Sequence, residues 1–201
     1  MRGLNNFGSA IGTARRYVAG ADRGLDGWYA TITGGTRPLG LEDARHRRGD
    51  GYERHVPTLL TDARRIAGIS ARFSGNIEVG QTAWIHDVAT DTYSRVELSV
   101  RATDQFAWSV VTELREDGTA FGTYRKFGAD GSNLGDRAFM YLPGIGAFDL
   151  ESVLDAAPGS RGWAFLGRPV EATPAGQIVG LGQVADRLTP PFSQGVYLLQ
   201  E

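Results

Sequence analysis

Val96, Leu98 and Val100 alternate along the chain with Arg95, Glu97, Ser99 and Arg101. A two-residue period puts aliphatic side chains on one face and charges on the other, as in an antiparallel strand with one wet side. Phe106, Trp108, Val110, Thr112 and Leu114 repeat the theme, and Glu116-Asp117-Gly118 supplies a hairpin turn before Phe121, Thr123 and Tyr124. Asp130-Gly131-Ser132-Asn133 marks another turn ahead of a strand from Phe139 to Leu142. Gly162 to Leu166, Gln177 to Leu181 and Gly195 to Leu199 read as late strands.

Three stretches break the alternation. Ala10, Ile11, Ala14, Tyr17 and Val18 fall at helix-like spacing between Ser9 and Ala21, which predicts a short amphipathic helix capped by Ser9 and stopped near Gly20. From Gly34 to Thr61 the text is polar and punctuated by Gly-Gly, Arg-Pro, Gly-Asp-Gly and Val-Pro, which predicts an extended polar arm. A second short helix is expected from Asp149 to Ala156, with Leu150, Val153 and Leu154 on one face. About nine short strands and frequent glycine turns favour a mainly β chain, expected as an antiparallel β-sandwich or jelly-roll-like domain. The expected organisation is an N-terminal segment over residues 1–26 with its short helix, then one β-rich domain over 27–201 that includes the arm at 34–61. No internal repeat stands out.

Composition narrows this picture. A chain of 201 residues buries roughly 70% of its extended surface on folding, enough for a core without staples. It has no cysteine, which removes disulfides, thiolate metal sites and cysteine nucleophiles. Basic and acidic residues number 21 and 23, a near balance with no long-range pull toward nucleic acid or an anionic membrane. All but one of the basic residues are arginine, Lys126 being the exception. No apolar run reaches the roughly 20 residues of a membrane span, and the opening Met1-Arg2-Gly3-Leu4-Asn5-Asn6 lacks a signal-peptide core.

Candidate chemistry is sparse. Gly180-Leu181-Gly182-Gln183-Val184-Ala185 spells a dinucleotide fingerprint after Ile178-Val179, but too little chain follows for the helix, parallel strand and acidic residue such a site needs, and Pro190-Pro191 interrupts what there is. No cofactor is expected. His46, His55 and His86 have no spacing typical of a metal site, and no Gly-x-Ser-x-Gly elbow anchors a Ser-His-Asp reading. Asp87, Asp91, Asp104 and Glu113 are carboxylates that only a fold can bring together. Arg45-His46-Arg47-Arg48, with Arg54 close behind, is the densest basic run. Glu42, Asp43, Asp50 and Glu53 interleave with it, which favours ion pairs over phosphate binding. Arg48-Gly49-Asp50 is an adhesion tripeptide elsewhere and is read here as chance. Arg45, Arg47, Arg48 and Arg54, with Tyr17 and Val18 on the small helix, are therefore candidate contacts between chains. Trp84, Tyr93 and Tyr124 are candidate stacking faces for a glycan.

Gly27-Trp28-Tyr29, then Gly49-Asp50-Gly51-Tyr52, then Ala63-Arg64-Arg65-Ile66 form a segment, Gly27 to Gly75, that resembles the opening of siphophage distal tail proteins. The resemblance implies a ring-forming structural protein of a virion tail tip or baseplate. It would be made in the host cytoplasm, would have copies of itself and other virion proteins as partners, and would carry no catalytic site. A carbohydrate-binding β-sandwich module is the alternative, and an uncharacterised hydrolase the third reading.

Overall fold

The computed structural model describes residues 1–173, 177–185 and 194–199. The chain is mainly β, as expected, and its strands fall into four successive modules. Module I comprises β1 (Gly3–Leu4), β2 (Ala10–Val18), β3 (Ala21–Ala30) and β4 (Thr36–Leu39). Module II comprises β5 (Glu53–Leu60), β6 (Arg65–Ser74), β7 (Ile77–Asp87) and β8 (Thr92–Val96). Module III comprises β9 (Ala107–Leu114), β10 (Ala120–Phe127), β11 (Asn133–Leu142) and β12 (Gly146–Asp149). Module IV shows three strands among the described residues, β13 (Trp163–Ala172), β14 (Ile178–Val184) and β15 (Gln194–Leu199). Within every module each strand pairs antiparallel with the next. This is the wiring of a meander, not the Greek-key crossing of a jelly roll.

The modules are versions of one unit with a period of about 55 residues. The connection between first and second strands is closed by the same hydrogen bond in all four: Asn5, Thr61, Arg115 and Thr173 each donate their N–H to the carbonyl four residues on, at 2.8 to 2.9 Å. The fourth residue of the first three of these turns, Gly8, Arg64 and Gly118, has positive φ. Four residues beyond it a glycine of the second strand faces an aromatic ring of the third: Gly12 with Trp28, Gly68 with Trp84, Gly122 with Phe139 and Gly180 with Tyr197. A Cβ on any of these glycines would lie 2.1 to 2.6 Å from its ring. The ring lies over bare backbone, which fixes cross-strand register.

Cores form between modules rather than within them. Ile11, Tyr29, Leu39 and Leu41 of module I meet Ile66 and Trp84 of module II. Ala67, Ala83, Ile85 and Val96 of module II meet Val111, Ala120, Tyr124, Phe139 and Tyr141. Phe121, Ala138 and Leu150 meet Leu166, Ile178 and Tyr197 in the same way. The third strands of modules I and II also make a close approach to the next module's first strand, through short parallel pairings of Gly24 with Glu53 and of Gly80 with Ala107.

Several expectations are corrected. Residues 9–21 form the β2–β3 hairpin, not a helix. A β-bulge between Arg15 and Tyr17 shifts the alternation by one residue, which is why the apolar positions imitate helical spacing. The stretch from Gly34 to Thr61 is no free arm: it supplies β4 and β5 and a folded loop in which Leu39, Leu41 and His46 are buried. Asp149 does start a helical turn by accepting from Glu151 N–H, but the turn is 3-10, spans only Leu150–Val153 and leaves Val153 exposed. Residues 1–26 belong to module I and make no separate segment.

Candidate functional site

The densest buried polar cluster lies where modules I and II meet. Strand alternation turns His55 of β5 and Ser70 of β6 inward, directly opposite each other in register. Ser70 Oγ accepts from Leu41 N–H at 3.1 Å and from Trp84 Nε1–H at 3.0 Å, and lies 2.8 Å from His55 Nδ1. With both lone pairs engaged, the hydroxyl donates its proton to His55 Nδ1. His55 Nε2 then faces Glu53 Oε2 at 3.6 Å. Glu53 accepts from Arg16 of β2 at 3.0 Å and from Arg47. Burial opposes the charge on Glu53, but these cations outweigh it and hold the carboxyl below its ordinary value. Burial pushes His55 down despite that carboxylate, so the ring is neutral.

A serine, histidine and carboxylate in line invite comparison with a hydrolase triad. Here the serine is fully buried and has no lone pair left for attack. Its three partners come from β4–β5 and β7, so the line ties module I to module II.

The other two histidines are also buried. His46 Nδ1 lies 2.9 Å from Asp43, whose other oxygen pairs with Arg95 at 2.5 Å. His86 Nε2 lies 3.0 Å from Asp91 while its ring stacks on Tyr93 at 4.2 Å. Burial lowers the pKa of both. The three do not converge, and among the described residues no cluster of His, Asp and Glu has the makings of a metal site.

The candidate interchain arginines are engaged within the chain. Arg45 reaches Glu97, Arg47 reaches Glu53, Arg54 reaches Glu78, and Arg48 grips Asp50 through two hydrogen bonds while lying over Tyr52. Tyr17 and Val18 are exposed, at the tip of a hairpin. Of the glycan-stacking candidates, Trp84 and Tyr124 are corrected. Trp84 is fully buried over Gly68. Tyr124 is buried with its hydroxyl donated to Asp149 at 2.7 Å, and burial and that carboxylate raise its pKa. Tyr93 lies between His86 and Trp84, its hydroxyl accepting from Gly40 N–H at 3.4 Å. Trp84 and Tyr124 serve packing because even the polar-phase side of a strand is covered by a neighbouring module, whereas Tyr93 keeps an exposed side. Of the carboxylates, Asp87 pairs with Arg65, Asp91 with His86, Asp104 with Arg101 and Glu113 with Arg115, at separate places.

Carboxylates also link the turns of successive modules. Asp62 accepts from Asn6 N–H at 2.9 Å and from its side-chain amide at 2.7 Å. Glu116 accepts in turn from Asp62 N–H at 3.0 Å and Ala63 N–H at 2.7 Å. These residues occupy one position of the repeated turn. A groove of about 1040 Å³ opens at the junction of modules III and IV, between Leu150, Arg161, Trp163 and the β15 residues Tyr197 and Leu199. The Gly180–Ala185 spelling lies in β14 and its extension, where Gly180 makes room for Tyr197, so it opens no helix. Pro190-Pro191 lies outside the described residues.

The linking turn was visible in the letters Asn-Asn-Phe-Gly-Ser-Ala-Ile-Gly, Thr-Asp-Ala-Arg-Arg-Ile-Ala-Gly, Arg-Glu-Asp-Gly-Thr-Ala-Phe-Gly and Thr-Pro-Ala-Gly-Gln-Ile-Val-Gly, which begin at residues 5, 61, 115 and 173. Only one glycine is common to all four, which hides the repeat. No helix among the described residues is long and apolar enough to cross a membrane. No family model, no curated protein and no solved structure matches the chain.

Proposed function

We propose that this chain is a non-catalytic structural protein, a scaffold of four stacked β modules that works by holding surfaces in a fixed relation. The observation that carries this reading is the junction built three times over, with polar side chains used to join one module to the next. Glu53 through Arg16 and Ser70 through Leu41 N–H join I to II, Glu116 and the Tyr141–Ser94 hydrogen bond at 2.8 Å join II to III, and Glu113 and Glu151 accept from Ala172 N–H and Leu166 N–H, both at 2.7 Å, to join III to IV. The finer architecture is an open stack of sheets packed face to face, in the manner of propeller blades, rather than a two-sheet sandwich.

A ring component of a virion tail tip is the particular setting to which the Gly27–Gly75 resemblance points, with further copies and other virion proteins as partners. In this fold that stretch runs from β3 to the end of β6 across the first junction, so the setting rests on the resemblance and on the suitability of a stacked scaffold for assembly.

Ser70 provides the test. A fluorophosphonate probe should leave it unlabelled in the native protein, and Ser70→Ala should lower stability by about 1–3 kcal/mol, because His55, Trp84 and Leu41 N–H lose their shared partner. Labelling of the wild type that disappears in Ser70→Ala would establish a reactive serine and overturn the scaffold reading.

A further inference from the structure

The two ends of the stack carry the two halves of the internal junction. In modules I to III the forward face of the second and third strands is closed: Ile11, Ala67 and Phe121 at one position and Gly27, Ala83 and Ala138 at another are all buried. Among the described residues the corresponding face of module IV is more open, Val179 at the first position being half-buried. Val196 is 68% and Leu198 53% exposed, and Leu181 beside them is exposed too. The outer edge of β15 has no strand partner among the described residues, whereas β3, β7 and β11 are each covered there by a fourth strand.

The opposite face shows the reverse. In modules II, III and IV the back-face aromatics Trp84, Phe139 and Tyr197 are buried against the preceding module. Their counterpart in module I, Trp28, is only half-buried. Ala14 is exposed where Ser70 and Tyr124 stand buried at the same position of modules II and III.

We infer that a second copy of this chain docks head to tail, the back face of its module I covering the forward face of module IV. This inference rests on the stacked-module reading. The occupant follows from continuity: each forward face whose cover is visible, three in this molecule, is covered by the back face of a module of the same design, and among the described residues one uncovered face of each kind remains. Such a contact is heterologous, because the two surfaces differ, so it propagates into a closed ring or an open array and cannot stop at an isologous dimer. Apolar end surfaces of this kind are what terminal caps hide in other repeat proteins.

Sedimentation velocity on the whole chain tests this, together with Leu198→Arg, which charges the forward face, and Ala14→Arg, which charges the back face. Both replaced side chains are exposed, and circular dichroism melts check that each variant folds. The wild type should sediment as species that grow as its concentration rises toward about 100 µM, the range of weak specific interfaces. Each variant alone should be monomeric, and an equimolar mixture should give a one-to-one heterodimer that does not extend, since each partner keeps one working face. A wild type that remains monomeric throughout, as it would if the β15 edge takes an extended peptide or another protein instead, overturns the inference. So does assembly of the folded variants that matches the wild type. Neither result bears on Ser70 labelling, so this inference and the scaffold reading fail separately.

Discussion

The junction of modules I and II and the junction of modules II and III share one backbone plan and hold it with different chemistry. The first has His55, Ser70, Glu53 and Arg16 beside Ile11, Tyr29 and Trp84. The second is mostly aliphatic and aromatic, with Ala67, Ala83, Ile85, Val96, Val111 and Phe139. Both begin at a glycine with positive φ on the third strand, Gly24 or Gly80, against which the next module's first strand lies. What stays constant is backbone approach and strand register. The filling can vary because any set of side chains of suitable volume with satisfied polar atoms closes such a gap.

The strongest way to break the comparison is to act on what the junctions share. A Cβ at Gly24 would lie 1.7 Å from Glu53 O, and one at Gly80 2.0 Å from Ala107 O. At these positions L side chains are also disfavoured by positive φ. Gly24→Ala and Gly80→Ala should each cost about 3 kcal/mol or more, read as a loss of urea midpoint. If only one were destabilising, the two junctions would not be equivalent.

Acid should separate the junctions by a smaller amount. Burial lowers the pKa of His46, His55 and His86, so between their folded values and about 6.5 the unfolded chain binds protons that the folded chain does not. Stability therefore holds above pH 6.5 and falls as the pH drops below it, by up to about 1.4 kcal/mol per pH unit for each histidine. Below the ordinary carboxylate values a further loss follows with the same sign, since Asp43, Glu53 and Asp149 are held down in the fold. All three histidines lie in the loop before β5, in β5 or in β7. Amide exchange measured from pH 7 to pH 5 should therefore rise in β5 and β6 before it rises in β10 and β11. Uniform loss of protection would show that the modules melt as one unit whatever joins them.

The smallest effect sharpens the contrast between buried and surface charge. Arg48 holds Asp50 on the exposed side of the same loop, and Arg48→Ala should change stability by less than about 0.5 kcal/mol. A melt shifted by much more would mean that this tight loop, with Tyr52 under the guanidinium, helps position Glu53.

The sequence alone determined the class and much of the strand map. Alternation from Phe106 to Phe127 and the Asp-Gly turns place β9 to β11 close to where they lie, because a half-buried strand has to alternate and a tight hairpin has to admit positive φ, whereas the alternating run from Arg95 to Arg101 is no strand beyond Val96, where β8 ends. It misled at residues 9–21, where one bulged residue turned a period of two into an apparent helix. It misled again at Gly34–Thr61, where charged side chains pair with one another and so fold a stretch that reads as too polar to bury. The repeat was written in the chain but carried by a single shared glycine per module, below what residue identity reveals. Only the tertiary structure decided that Trp84 and Tyr124 lie inside, that Ser70 binds three partners at once, and that Val196, Leu198 and Ala14 lie exposed. Each of these depends on which module lies against which, and contacts between residues about 55 positions apart leave no local pattern for the sequence to show.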